Sequence, residues 1–321
     1  MKIITFKDIA DLNVQPLMCL DWAESMIRSK KEAMLPPKIS LKPYDGVFCN
    51  VMPSIIPGSD NTKWGGVKVV TRYPNRVPSL ESRILLMNAD SGEFVALMDG
   101  TWITTMRTGA VAAHSIMLLG KKDFATIGMM GLGNVSRSTL LILADKLRDR
   151  EFYVKLLRYK GQEEDFAKRF ASYKNLHFSF VDTAKDMVKG SDVVISGATY
   201  LPNDVCPDEY FDKGVLVQPI HTLGFTNCDL FFDKVFADDL GHVQHFKNFD
   251  KFKQFAEVCD VVNGNKPGRE NDDERILAYN IGVSIHDIYF AVAIYHIMQE
   301  RGILDSLNEI DMNDPMEKFW V

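Results

Sequence analysis

Strands alternating with helices after Phe124, a glycine-rich strand-to-helix turn at Gly131-x-Gly133-x-x-Ser136, and a first third of short strands around one long helix predict an α/β protein. The expected architecture is a doubly wound parallel sheet, Rossmann-type in its glycine turn, joined to an α+β domain.

The elements follow in order. An amphipathic helix is expected from Leu17 to Lys31, apolar at Leu17, Leu20, Trp22, Met26 and Ile27. Strands are expected at Gly46–Met52, Gly66–Thr71, Arg83–Asn88 and Phe94–Met98, the last two joined by Asp90-Ser91-Gly92 as a hairpin turn. Thr104-Thr105 reads as the cap of a helix that runs to Leu119 and stops at Gly120. Beyond it come a strand (Ala125–Met130), the glycine turn, a helix (Thr139–Leu147), a strand (Tyr153–Leu157) and a helix (Glu163–Tyr173). Further strands are read at His177–Val181, Asp192–Ser196, Val215–Pro219 and Lys234–Asp238. A final apolar helix, Ser284–Arg301, is long enough to return to the first domain or to form an oligomer contact. The expected division is therefore nested: residues 1–118 and 279–321 form a substrate and dimerisation domain, and residues 119–278 the dinucleotide domain.

Composition narrows the function classes. The 321 residues carry 37 Lys and Arg against 43 Asp and Glu, a formal net charge of -6, which removes the electrostatic case for nucleic acid. No apolar run reaches the roughly 18–20 residues of a membrane span, and Met1-Lys2-Ile3-Ile4 leads into no signal-peptide core. Cys19, Cys49, Cys206, Cys228 and Cys259 form no CxxC pair, so neither a disulfide framework nor a zinc site is indicated. The expectation is a cytoplasmic two-domain enzyme.

The glycine turn carries the first chemistry. Gly131 permits a tight turn, and Gly133 lets the amides of Asn134, Val135 and Ser136 approach a pyrophosphate at a helix N-terminus. Ser136 stands at the third, small-residue position, and Thr199, after the next inner strand, joins the expected cofactor contacts. The second strand ends Leu157-Arg158-Tyr159-Lys160 without a carboxylate for a ribose 2′-hydroxyl, which favours NADP(H) over NAD(H) through Arg158. The alternative is an Arg158 that stacks on an adenine or is simply solvated.

With these residues in hand, the sequence resembles the ornithine cyclodeaminase/mu-crystallin family along nearly its whole length. Its landmarks are Pro36-Pro37-Lys38, Met52-Pro53, Gly66-Val67-Lys68, the Asp90-Ser91-Gly92 hairpin and Arg107-Thr108-Gly109-Ala110. After the Gly131 turn follow Ser191-Asp192-Val193-Val194, Gly264-Asn265-Lys266-Pro267-Gly268-Arg269 and Gly282-Val283-Ser284-Ile285-His286-Asp287. The resemblance implies a homodimer and a hydride transfer between a nicotinamide and the α-carbon of a small amino or imino acid. An ornithine or lysine cyclodeaminase, and a cofactor-dependent ligand-binding protein with little turnover, are the alternatives.

The resemblance assigns roles that the chemistry supports. Arg107, read in the first turn of its helix, would clamp a substrate carboxylate. Lys38 stands where the family usually has arginine, keeping the charge but losing the planar fork. Lys68 would exchange a proton with the substrate nitrogen, its pKa lowered by neighbouring cations. Ser82 matches a hydroxyl near the substrate, and Asp287 matches a family carboxylate or equally a cap or salt-bridge partner. Cyclodeaminases carry an Asp after the fifth strand of the nucleotide domain. Here the stretch reads Gln218-Pro219-Ile220-His221-Thr222-Leu223-Gly224, placing His221 there as a second acid/base or as a structural ring. His221 cannot pair with a distal ammonium, which counts against ornithine. His242-x-x-His245 beside Asp238-Asp239 has metal-like spacing but no third ligand, and with Asp272-Asp273-Glu274 it is read as solvated loop, so no metal is expected.

Overall fold

The computed structural model describes residues 1–58, 62–199, 201, 204–221 and 230–312. Two sheets organise them. The first is built from β1 (Lys2–Ile4), β2 (Ile39–Leu41), β3 (Phe48–Pro57), β4 (Lys63–Arg72), β5 (Leu80–Asn88) and β6 (Phe94–Asp99), in the order β1-β6-β5-β4-β3-β2. All its pairs are antiparallel except β1 on β6. In the register, Lys68 stands between Met52 and Ile84, and Val70 between Asn50 and Ser82. Because side chains alternate along a strand, Lys68, Val70, Ser82 and Ile84 share one face. That face is covered by α3 (Thr101–Leu119) and the last long helix, α9 (Ser284–Glu300), and α2 (Pro16–Arg28) packs against both helices.

The second sheet is wholly parallel. Its strands are β7 (Thr126–Met130), β8 (Phe152–Leu157), β9 (Leu176–Val181), β10 (Val193–Ser196), β11 (Leu216–Pro219), β12 (Lys234–Ala237), β13 (Phe255–Glu257) and β14 (Ile276–Tyr279). They lie in the order β13-β12-β14-β11-β10-β7-β8-β9. The strand order reverses between β7 and β10, and in such sheets a ligand binds at the carboxyl ends of the strands that flank this switch. Strands β10, β11, β12 and β14 are buried at every residue, as parallel strands covered on both faces must be.

Several boundaries differ from the expectation, each for a local reason. Helix α3 begins at Thr101, because Asp99 accepts the Thr101 N–H at 2.8 Å and Gly100 takes the N-cap position. Thr104 and Thr105 are inside the helix; the Thr105 hydroxyl donates to the Thr101 carbonyl at 3.0 Å and caps nothing. Arg107 therefore lies in the second turn, away from the free amides of the helix end. The helix after the glycine turn, α4 (Asn134–Lys146), starts directly after its N-cap Gly133 rather than at Thr139. Its buried Ser136, Ser138 and Thr139 interrupt the apolar period. The helix after β8, α5 (Gln162–Arg169), ends short of Tyr173. Helix α2 ends at Arg28, and Lys30 is buried in a short 3-10 turn; Leu17, assigned to the apolar face, is exposed. The short strands β1, β2, β13 and β14, and α1 (Phe6–Asp11), lack enough periodicity to be read and were not expected. Among the described residues no helix is long and apolar enough to cross a membrane. Cys19, Cys49, Cys206 and Cys259 are free thiols, and Cys228 lies outside the described residues.

Candidate active site

A cavity of about 740 Å³ opens between the two sheets. One wall is Val70, Ser82, Thr104 and Thr105; the other is the turn Gly131–Ser136 with Gly197 and Thr199. The walls are tied together by α3 and α4. The Ser138 hydroxyl donates to the Thr105 carbonyl at 2.9 Å, and a side chain at Gly109 would collide with Ser138, so the helices cross in near-backbone contact. The helix that carries Arg107 is thereby fixed against the helix that begins at the glycine turn.

The turn has the form a phosphate cradle requires. Gly131 has φ +71°, and a Cβ there would strike the Gly197–Ala198 backbone. The Ser136 hydroxyl donates back to the Gly131 carbonyl at 2.7 Å, so serine at the third position locks the turn. Gly133 is different: its φ is -82°, and a Cβ would meet no protein atom within 4 Å. Space is left beside it at the N-terminus of α4, where the first amides have no partner inside the helix. Gly131, Gly133, Asn134, Val135, Ser136 and Thr199 thus all line the cavity, and these residues fit a dinucleotide. Ser82 is buried in the opposite wall, its hydroxyl 3.0 Å from that of Thr104. Arg158 lies at the end of β8, its guanidinium carbon 5.2 Å from the centre of the Phe180 ring. It also faces Glu163 at 3.3 Å and Asp182 at 3.4 Å, two carboxylates that no strand-end motif announced.

The charged centre lies beneath the first sheet. Asp287, in the first turn of α9 and fully buried, pairs through one oxygen with Lys68 Nζ at 2.7 Å and through the other with Arg107 Nε at 2.8 Å. Of its open roles it takes that of salt-bridge partner. Arg107 and Lys68 hold Asp287 below the usual carboxylate range even though burial opposes the charge. Lys68 is 1% exposed, and burial, with the Arg107 charge beside it, pushes its pKa down to about 7. The expected effect of neighbouring cations is therefore present, but burial is the larger cause. Lys38 donates to the Ile281 carbonyl at 3.2 Å; burial first and Arg107 second push it down to about 8. Gly282, with φ +73°, lets the backbone pass so close that a Cβ would lie 2.7 Å from Arg107 Nη1.

A polar network lies next to this cluster, at the carboxyl ends of β11, β12 and β14. Asp238 accepts from Asn280 Nδ2 at 2.5 Å and from the Gly282 N–H at 3.2 Å; burial raises its pKa. Asn280 is held in turn by Gln218 and Ser115. In the sequence Asp238 and Gln218 stand out only as neighbours of His242 and His221, and Asn280 not at all, since single polar residues at strand ends have no periodicity to mark them. His221, just past β11, has Nε2 3.0 Å from the Ser196 hydroxyl, and burial pushes its pKa down to about 4, so the ring is neutral near pH 7. The rest of the stretch read with it, Thr222 to Gly224, lies outside the described residues.

His242 and Glu274, expected in solvated loops, are instead packed against charged partners. His242 is 4% exposed and not a solvated loop residue: Asp239 holds its Nδ1 at 2.7 Å. Glu274 is likewise paired with the buried Lys234 at 2.9 Å. Glu257, Cys259 and Asp260 bring three potential ligand atoms together, but Lys30 and Lys31 already neutralise Glu257.

The chain is similar to several known proteins over most of its length. The chain is similar to the nodulation efficiency protein NfeD of Rhizobium meliloti, 24% identical with 94% of this chain and 97% of that protein covered. It is 26% identical to the N-((2S)-2-amino-2-carboxyethyl)-L-glutamate dehydrogenase of Staphylococcus aureus, over 85% of this chain and 87% of that one. The fold matches Thermococcus litoralis Delta(1)-pyrroline-2-carboxylate reductase, solved with NADH and L-proline, with a TM-score of 0.79 and 23% identity over 94% and 98% of the two chains. The model of the ornithine cyclodeaminase/mu-crystallin family matches residues 3–302, and the chain belongs to that family.

Proposed function

We propose that this chain is an NAD(P)H-dependent oxidoreductase that transfers hydride at the C–N bond of a small amino or imino acid. The observation that supports it most is the single carboxylate of Asp287 shared by Lys68 and Arg107 at 2.7 and 2.8 Å, on the strand and the helix whose Val70, Thr104 and Thr105 line the cavity opposite the dinucleotide turn. When bound, a nicotinamide would supply or take up the hydride. Lys38, Lys68 and Arg107 face one firmly ionised carboxylate, Asp287, and one whose charge is disfavoured, Asp238. That surplus of positive charge suits the carboxylate of a substrate, with Arg107 and Lys38 to bind it and Ser82 to orient it. Near neutral pH Lys68 is poised between its two forms. It can give a proton to the nitrogen during imine reduction and take one during amino-acid oxidation. His221 would serve as a neutral hydrogen-bonding ring.

Finer points belong to the same proposal. NADP(H) is favoured over NAD(H) by the position of Arg158. The substrate and dimerisation part is placed at 1–118 and 279–321, and the nucleotide part at 119–278. Ile39, Leu41 and Val69 are exposed on the outer face of the first sheet, at 59%, 58% and 38%, and a homodimer would cover them.

The test is oxidation of NADPH or NADH, read at 340 nm, with Delta(1)-pyrroline-2-carboxylate as the imino acid. Turnover is expected, with kcat/KM for reduction falling as pH rises through about 7, where Lys68 loses its proton; the reverse reaction should rise through the same range. Ammonia release from ornithine with NAD+ merely catalytic would overturn net reduction in favour of a cyclodeaminase. Cofactor binding without any turnover would leave a binding protein.

A further inference from the structure

We propose that His242, oriented by Asp239 and Lys30, is a positioning residue for Lys38 and sets the substrate-side ammonium from the opposite sheet. This rests on the reading of Lys38 as a carboxylate-binding group. The connection is continuous. Lys30 Nζ pairs with Asp239 Oδ1 at 2.8 Å and with Glu257 at 2.6 Å. Asp239 Oδ2 takes the Nδ1 proton of His242 at 2.7 Å and the His242 backbone N–H at 3.1 Å. With Nδ1 bearing the proton, Nε2 is left as an acceptor, and the backbone N–H of Lys38 donates to it at 3.3 Å.

Burial works against the Asp239 charge, but the hydrogen bonds from His242 and Lys30 hold the carboxylate at about 2, so Asp239 stays ionised as the acceptor of the Nδ1 proton. Lys38 is the first residue with an amide proton after Pro36-Pro37, whose rings stiffen the approach. Pro37 packs over Gly241, where a Cβ would sit 3.9 Å from its ring and 3.0 Å from Asp239. One hydrogen bond at Lys38 therefore fixes the direction in which a stiff segment enters the site. From there Nζ reaches the Ile281 carbonyl, among Arg107 of α3, Lys68 of β4, Asp287 of α9 and Asp238 beyond β12. His242 touches neither cavity nor cofactor turn and acts only through Lys38.

The experiment follows Lys38 directly. Full-length wild type, H242L, H242Q and D239N are briefly acylated with a water-soluble acetyl ester across a pH series, and modification of Lys38 is counted by mass spectrometry. Wild type should show a midpoint near 8, and H242L and D239N should move up toward the ordinary 10.5. H242Q, whose Oε1 can accept in place of Nε2, should stay with wild type. An unchanged midpoint in folded H242L and D239N would overturn the proposal; if H242L does not fold, the contrast of H242Q with D239N decides. In parallel, KM for Delta(1)-pyrroline-2-carboxylate should rise about tenfold in H242L with kcat changed less than about threefold, and should not rise further when H242L is added to K38M. Multiplying losses would mean that His242 serves general stability. Absence of turnover in wild type would refute the proposed reaction, yet the acylation profile would still judge His242.

Discussion

The two sides of the proposed site are made on different principles. On the nucleotide side the chemistry belongs to the backbone: Gly131, Gly133 and the first amides of α4 form a cradle at the end of a sheet whose inner strands are buried at every residue. On the substrate side it belongs to charged side chains in the middle of regular elements: Lys68 within a ten-residue strand and Arg107 in the second turn of a nineteen-residue helix. A cradle needs only a turn of the right shape, whereas buried charges need one another. The substrate side therefore depends on a mutual balance that the nucleotide side does without.

The largest effect should come from breaking that balance. Asp287→Asn leaves Lys68 and Arg107 buried without their shared carboxylate, and removal of one partner from such a pair costs about 3–5 kcal/mol. Denaturant midpoints at constant m-value should register it, together with loss of reductase activity. A stable, active Asp287→Asn protein would show that the cations are satisfied by something else.

The cradle offers a finer contrast. Gly131→Ala forces a side chain into positive φ against backbone and should destabilise the fold by about 1–3 kcal/mol. Gly133→Ala adds a methyl where no protein atom lies and φ is ordinary, so stability should hold within about 0.5 kcal/mol or rise slightly. The methyl would instead occupy the approach to a pyrophosphate and weaken NADPH binding by about tenfold or more, measurable by fluorescence titration. Equal losses of stability in both variants would remove the distinction between a glycine needed by the fold and one needed by the ligand.

This difference also explains what was legible in the sequence. The glycine turn is local, so Gly131, Gly133 and Ser136 stand in a short stretch between a strand and a helix and can be read without the fold. The Lys68–Arg107–Asp287 cluster joins residues up to 219 positions apart, since α9 returns to the first sheet only after the whole parallel sheet has been built. By pattern alone Lys68 is an ordinary strand lysine, and only family resemblance singled it out. His242 and Asp239 are visible as a pair, but their partners Lys30 and Lys38 come from the other end of the chain, so by pattern alone the pair is indistinguishable from solvated loop. The error at Thr104-Thr105 has a similar origin: hydroxyls that bond to carbonyls inside a helix look, in sequence, like hydroxyls that cap one.

The smallest effect is expected at Arg158. A free guanidinium at the end of β8 would give a 2′-phosphate a charge-assisted contact, but this one already faces Glu163 and Asp182 and stacks on Phe180. Its side chain is 44% exposed, so those pairs are screened by water and hold it weakly. A phosphate could take the guanidinium over, though part of the gain would go to separating it from the carboxylates. Arg158→Ala should therefore reduce NADPH affinity by only about threefold to tenfold and leave NADH nearly unchanged. Asp182→Asn, which frees the guanidinium on one side, should move the preference in the opposite direction, toward NADPH. If both variants bind the two cofactors as wild type does, Arg158 plays no part in the choice between them, and the charge balance at Lys68, Arg107 and Asp287 has no counterpart at the end of β8.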